Sequence, residues 1–127
     1  MLSRSVTFTL ISAVFLAVAA SGSAPAAPST SGGRISVVQV IEMLDKAPSD
    51  RVAQQVLTAY LAGVGEAAGT AIDMGRGFCA KKLHLTTDHV RQAISTSAGK
   101  PDAAETSATP LIVRDMLTRA KCKRAAT

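Results

Sequence analysis

The side chains with the most reactive chemistry in this sequence are two cysteines and two histidines. Cys79 and Cys122 could form a disulfide, act as a redox pair or bind a metal ion. They do not form a C-x-x-C motif, and neither has a histidine at the spacing of a metal ligand, which argues against a redox or metal site. His84 and His89 lie five residues apart, whereas two histidines that share a metal on one helical face lie four apart. The sequence therefore predicts no bound metal and no cofactor.

Catalytic motifs are missing as well. The sequence contains no G-x-S-x-G, H-E-x-x-H, P-loop or G-x-G-x-x-G pattern. Glu66 and Asp73 lie seven residues apart on one predicted helix, but a glycosidase-type carboxylate pair needs a cleft, which a small, alanine-rich chain is not expected to build. With no tryptophan, the chain also offers no obvious stacking platform for bases or sugars. We expect a protein that is not an enzyme.

The first 26 residues have the organisation of a secretory signal peptide. Arg4 is followed by an uncharged apolar run from Val6 to Ala20 and then by small residues. The run has 15 residues, fewer than the ~20 of a membrane-spanning helix, although a retained membrane anchor stays open as the alternative. We expect a periplasmic or secreted protein that does not associate with a membrane after cleavage. The candidate cleavage points follow Ala20, Ala24 and Ala26.

Export bears directly on the two cysteines. An exported chain enters an oxidising compartment, where a disulfide between Cys79 and Cys122 is expected to form. This bond would close a loop of about 44 residues and, by chain entropy, could stabilise the fold by up to ~4 kcal/mol. That is a large share of the ~5–15 kcal/mol by which a typical domain is stable.

The chain after the signal peptide divides into three parts. Residues 27–33 are rich in Pro, Ser and Gly and predict a flexible lead-in, residues 34–122 predict a helical domain, and residues 123–127 predict a loose tail. The domain has four helical stretches and no strand-like alternation, so we predict an all-α bundle of four to five helices. The apolar positions at helical spacing are Ile35, Val38, Ile41 and Leu44, with Val37 beside them; Val52, Val56, Tyr60, Val64, Ala67 and Ala71, with Leu57 and Leu61 beside them; Val90, Ala93 and Ile94; and Ile112, Met116 and Ala120, with Val113 and Leu117 beside them.

Polar residues that can cap these helices precede the last three stretches. Their side-chain oxygens can accept hydrogen bonds from the free N–H groups of a helix's first turn. The candidates are Ser49 or Asp50, then Thr86 or Thr87, and finally Thr106 or Ser107.

The second helix carries a row of small residues. Ala59, Gly63 and Ala67 recur at four-residue steps, and three glycines in this helix each cost about 1 kcal/mol relative to alanine. Unless this end of the helix frays, the close approach of another helix would offset that cost. We predict close helix packing at this row, preferably inside the monomer, with a homodimer as the alternative.

Charge is unevenly distributed along the chain. Residues 33–75 carry a net charge of −2, whereas residues 76–127 carry +6. A basic half can bind nucleic acid, anionic lipid or an acidic protein, or simply be a solvated surface, and export argues against nucleic acid. The connection after the second helix is the candidate protein-binding segment, because functional residues often lie on loops held by a rigid scaffold. Its candidate partner-binding residues are Asp73, Arg76, Phe78, Lys81 and Lys82.

Three segments resemble one known family. They are YLAGVGEA at 60–67, FCAKKLHLTTDHVRQAI at 78–94 and SATPLIVRDMLTRAKC at 107–122. In this order they resemble the Rap/Tai domain of small exported helical proteins, and the resemblance covers about residues 35–122. Two departures are the absence of a cysteine near the first helix and the presence of Pro110. The matching residues are Tyr60, Gly63, Ala67, Cys79, Thr86, Pro101, Ser107, Ala108, Leu111 and Cys122.

The resemblance implies a function in protein binding. Family members include immunity proteins that neutralise peptidoglycan amidases delivered by type VI secretion. By resemblance, this chain would therefore be a non-catalytic periplasmic protein that binds and blocks an effector enzyme, which agrees with the absence of catalytic motifs. A periplasmic stress or chaperone-like helical protein stays open as the alternative function.

Overall fold

The computed structural model describes residues 27–124. The predicted signal peptide, residues 1–26, and the last three residues of the predicted tail lie outside the described residues. The described range confirms the all-α prediction with four helices and adds one pair of very short strands. In residues 27–124 no helix is both long and apolar enough to span a bilayer. The elements are α1 (Val37–Lys46), α2 (Arg51–Met74), β1 (Phe78–Cys79), α3 (Thr87–Ala98), α4 (Ala108–Arg119) and β2 (Cys122–Lys123).

Two of the predicted caps begin α2 and α3. Asp50 Oδ1 accepts hydrogen bonds from the backbone N–H groups of Val52 and Ala53, at 2.8 and 3.1 Å. Thr86 Oγ1 accepts from the N–H group of His89 at 3.2 Å. In each case a short polar side chain satisfies N–H groups that have no partner inside the helix, as the sequence predicts.

Backbone hydrogen bonds join the start of α1 to the start of α4. The N–H group of Val37 donates to the carbonyl of Thr106 at 2.9 Å, and the N–H group of Ala108 donates to the carbonyl of Ile35 at 3.0 Å. The predicted cap Ser107 occupies the N-cap position of α4 but makes no side-chain capping hydrogen bond. The two helix starts are therefore joined by backbone pairing, which local sequence does not reveal.

The four helices enclose one hydrophobic core. α1 and α4 each contact both α2 and α3, so every helix contributes one apolar face. Burial of these faces is the main favourable contribution to folding. The largest buried apolar residues are Val37, Val40, Leu44, Leu57, Val64, Val90, Ile94, Ile112 and Met116.

The buried face of α2 shares Val64 with the main predicted stripe but is otherwise shifted toward Leu57, which the sequence placed beside that stripe. Val52 and Val56 are 67% and 51% exposed, whereas Leu57, Val64 and Ala68 are buried. α2 has two adjoining apolar stripes, and only one of them can face the core. The stripe with Leu57 and Val64 packs inward and leaves the valines of the first two turns at the surface. In α1 the predicted Leu44 and Val37 are buried together with Val40, whereas the predicted Ile35, Val38 and Ile41 are half-buried.

The predicted flexible lead-in, residues 27–33, instead makes defined contacts with the helices. Ser36 Oγ donates a hydrogen bond to the carbonyl of Pro28 at 2.9 Å. Ser31 donates to Glu105 Oε2 through both its N–H group and its hydroxyl, at 2.9 and 2.8 Å. Ser31, one of the residues that make the composition look loop-like, therefore helps to attach this segment to the rest of the protein.

Candidate protein-binding surface

A disulfide joins the chain after α2 to the chain after α4. β1 and β2 pair antiparallel, with Phe78 opposite Lys123 and Cys79 opposite Cys122. Cys79 and Cys122 form the predicted disulfide. The sequence did not predict the strands, because two residues are too few to show an apolar–polar alternation.

The backbone around the disulfide adopts restricted conformations. Arg76 and Lys121 have φ angles of 48° and 53°, in the left-handed region that costs a residue with a side chain roughly 1–2 kcal/mol. Between them, Gly77 passes so close to β2 that a Cβ atom on it would lie 2.7 Å from the carbonyl oxygen of Lys123. The N–H group of Lys81 donates to the carbonyl of Ala120 at 3.0 Å. The disulfide, the strand pair and this bond together hold the connection in one shape.

We call residues 73–82 and 121–124 the disulfide end. It exposes two large apolar side chains: Met74 is 82% exposed and Phe78 is 61% exposed. Exposed apolar side chains on a fixed backbone are typical anchors of protein interfaces. Six exposed cations share this end of the molecule: Arg76, Lys81, Lys82, Lys121, Lys123 and Arg124.

The charge of the disulfide end is not neutralised within the described residues. Its one carboxylate is Asp73. The three ion pairs of residues 27–124 join Glu42 to Lys46, Asp45 to Arg91 and Asp115 to Arg119, and none involves the six cations. The disulfide end therefore carries a net positive charge together with two exposed apolar side chains, which suits it to an acidic surface.

The five predicted partner-binding residues all lie exposed at the disulfide end. Sequence reasoning chose Asp73, Arg76, Phe78, Lys81 and Lys82 because they lie at or after the end of the second helix, in the segment that Cys79 holds. It missed Met74 and the basic residues around Cys122. The predicted disulfide could have identified the basic residues around Cys122, because it places the neighbours of Cys122 beside those of Cys79.

The small-residue row of α2 does not pack inside the monomer. Ala59, Gly63 and Ala67 are exposed, and a Cβ atom on Gly63 would meet no atom within 4 Å. The preferred interpretation of this row, close helix packing within the described chain, is therefore wrong. The core takes the neighbouring stripe of α2, and packing of this row in a homodimer stays a prediction.

Tyr60, which lies in one of the segments that resemble the Rap/Tai domain, links two helices. Its hydroxyl lies 3.0 Å from Thr109 Oγ1, a hydrogen bond that joins α2 to α4. Burial raises the pKa of Tyr60, and the hydrogen bond to Thr109 partly opposes this rise. The phenol is therefore protonated at neutral pH and acts here as a hydrogen-bonding link between helices.

The two histidines meet without forming a metal site in the described range. The rings of His84 and His89 pack edge to face with centroids 5.9 Å apart. Residues 27–124 contain no group of three or more histidine, cysteine or acidic side chains arranged to hold a metal ion.

Comparison with known proteins finds no relative. No family model, no curated protein and no solved structure matches this chain.

Proposed function

We propose that this chain is an exported, non-catalytic protein whose disulfide end binds and neutralises a secreted effector enzyme. One observation supports this proposal above the others: Phe78 is exposed on a disulfide-held strand, at an end of the molecule whose six exposed cations have no ion-pair partners in residues 27–124. The resemblance of the sequence to the Rap/Tai domain specifies the partner class, a peptidoglycan amidase delivered by type VI secretion.

Inhibition by binding requires a preformed surface more than reactive groups. A loop that is already ordered loses little conformational entropy when it binds, so more of its contact energy appears as affinity. The disulfide and the pairing of Phe78 with Lys123 supply this preorganisation. Phe78 and Met74 would enter apolar pockets of the partner, while the surrounding cations would accelerate encounter with an acidic rim around its active site.

Inhibition assays with purified amidases test this function. The exported protein is mixed with each member of a panel of type VI amidase effectors, and the rate of peptidoglycan hydrolysis is measured. We expect stoichiometric inhibition of at least one amidase, weakened at high salt. Phe78→Ser should raise the inhibition constant at least tenfold, whereas Lys100→Glu, in the connection before α4, should leave it unchanged. Full activity of every amidase in the presence of the protein would contradict the proposal.

A second candidate function is an acid-responsive, chaperone-like protein. It is favoured by two carboxylates that hold the 27–33 segment: Glu42 accepts from the N–H group of Ala27, and Glu105 accepts from Ser31. Protonation of both would release the segment beside the groove between α1 and α2, which Ile35, Val52 and Val56 line. Binding of an apolar dye and protection of an aggregating client, measured at pH 3 and pH 7, separate this function from inhibition of an amidase.

A further inference from the structure

The backbone nitrogen of Ala27 is hydrogen-bonded to the carboxylate of Glu42. The N–H group of Ala27 donates to Glu42 Oε2 at 2.5 Å, and the ammonium group of Lys46 binds the other oxygen, Oε1. Both carboxylate oxygens are therefore engaged, one by a backbone nitrogen and one by a cation. Glu42 is part of α1, so the acceptor is held on a rigid element.

The residues before Ala27 form a cleavage pattern for a signal peptidase. Ala24 and Ala26 place small side chains at the third and first positions before the Ala26–Ala27 bond, as these enzymes require. Cleavage after Ala24 would leave Pro25 at the new terminus, an unfavourable position. Cleavage after Ala20 is the remaining alternative, and it would leave Ala27 with an ordinary peptide N–H group.

We propose that a signal peptidase cleaves the Ala26–Ala27 bond and that Glu42 then binds the new terminal ammonium group of Ala27. The reaction consumes one water molecule, leaves a carboxylate on Ala26 of the released leader and leaves an amino group on Ala27. At neutral pH most of these amino groups are protonated, because their ordinary pKa is about 7.7–8.0. The hydrogen bond from an uncharged peptide N–H group to the Glu42 carboxylate becomes an ion pair in which both partners are charged, which is stronger.

The surroundings of Glu42 suit an additional cation. The groove that Ala27 lines also contains Glu42, Asp50 and Lys46, so two carboxylates face one ammonium group. A terminal ammonium on Ala27 would balance these charges. Asp50 is already used as the cap of α2, which leaves Glu42 as the acceptor for the terminus.

The residues after Ala27 fix the position of its nitrogen. Ser36 Oγ holds the carbonyl of Pro28 at 2.9 Å, and Thr30 is buried, with its hydroxyl accepting from the N–H group of Arg34 at 3.0 Å. A free terminus at Ala27 would therefore remain beside Glu42 and not swing into solvent. Glu42 and the residues that hold the 27–33 segment thus form a binding site for the processed terminus. Removal of the leader during export would then add an ion pair to the folded protein.

Mass spectrometry of the exported protein tests the cleavage step. The full chain, including its leader, is expressed in a Gram-negative host and purified from the periplasm. We expect a mature protein that begins at Ala27. A protein that begins at Ser21, or one that keeps the leader, would overturn the proposal.

A second experiment tests the ion pair itself. Glu42→Gln is introduced into the full chain and into a version with Ser-Gly inserted after Ala26, where Ala27 keeps a peptide N–H group. We expect Glu42→Gln to lower Tm by about 3 °C in the natural chain and by less than half of that in the inserted chain. The matched control, Glu105→Gln, removes the bonds to Ser31 and should lower Tm equally in both. Equal losses from Glu42→Gln in both chains would overturn the ion pair.

The reactivity of the terminal amine gives a readout that does not depend on stability. An amine in an ion pair is acylated more slowly than a free amine, because only the unprotonated form reacts. With a limiting amount of an amine-acylating reagent at pH 7, Ala27 should be labelled several-fold faster in Glu42→Gln than in the natural protein. Identical labelling rates would contradict binding of the terminus by Glu42.

Discussion

A Cβ atom on Gly77 would lie 2.7 Å from the carbonyl oxygen of Lys123. This contact shows how closely the chain after α2 approaches β2. We expect Gly77→Ala to destabilise the protein by about 1–3 kcal/mol, because the backbone must move apart at the disulfide end. Denaturant unfolding measures this change.

Gly65→Ala is the matched control for Gly77→Ala. A Cβ atom on Gly65, in the middle of α2, meets no atom within 4 Å, and alanine favours a helix more than glycine does. This variant should be more stable by about 0.5–1 kcal/mol. Equal effects of the two substitutions would contradict the close approach of Gly77 to Lys123.

Removal of the disulfide should cost the protein much of its stability. The bond joins residues separated by 43 positions, so its loss frees a long loop in the unfolded state. We expect the double variant Cys79→Ala, Cys122→Ala to lose about 2–4 kcal/mol in denaturant unfolding. The helical content measured by circular dichroism at low temperature should change little, because the core residues lie between the helices. An unchanged unfolding midpoint would contradict a stabilising role for the bond.

Gly63 distinguishes a monomer from a homodimer. In the monomer its position has open space around it. Gly63→Ala should therefore raise the free energy of unfolding by about 0.5–1 kcal/mol without changing the oligomeric state. If the row of Ala59, Gly63 and Ala67 forms a dimer contact, the same change should instead weaken association. Analytical ultracentrifugation of the natural protein and of Gly63→Ala decides between these outcomes.

Acid should destabilise the attachment of the 27–33 segment. The ammonium group of Lys46 and the N–H group of Ala27 hold the pKa of Glu42 below its ordinary value of 4.5. The N–H group and hydroxyl of Ser31 lower the pKa of Glu105 in the same way. Because both pKa values are lowered by folding, this stability is present above pH 4.5 and is lost as the pH falls through the folded-state values.

Thermal unfolding between pH 2 and pH 7 measures this effect. We expect Tm to fall below pH 4.5, and Glu105→Gln should make this fall smaller by removing one of the two titrating groups. Asp88→Asn is a useful control, because Asp88 is an exposed carboxylate of α3 and is not one of the two carboxylates that hold the 27–33 segment. A natural protein and a Glu105→Gln variant with the same acid dependence would contradict a contribution from Glu105.

The sequence predicted those features that depend on local chemistry. The four helical stretches follow from apolar spacing, and the caps Asp50 and Thr86 follow from short polar side chains before each helix. The disulfide follows from two cysteines in a chain that the sequence predicts to be exported. The apolar spacing and the caps depend on residues close together in sequence, and two cysteines allow only one pairing. No knowledge of tertiary contacts is needed to predict them.

Features that depend on distant contacts were not predictable from the sequence. Val56 and Leu57 are adjacent and both apolar, and only packing against the other helices decides that Leu57 is buried. The bonds from Ser31 to Glu105 join residues far apart in sequence, so the 27–33 segment looked flexible. Lys123 belongs to the disulfide end only because β2 pairs with β1.

Survival of bacteria that carry a type VI peptidoglycan amidase in the periplasm tests the proposed function most directly. Each amidase of the panel is expressed with the full chain, with a variant carrying Arg76→Glu, Lys81→Glu and Lys82→Glu, or with the Lys100→Glu control. We predict that the natural chain and the control protect against at least one amidase and that the triple variant, present at equal periplasmic abundance, does not. Lysis by every amidase despite the natural chain, or equal protection by the triple variant, would contradict neutralisation through the disulfide end.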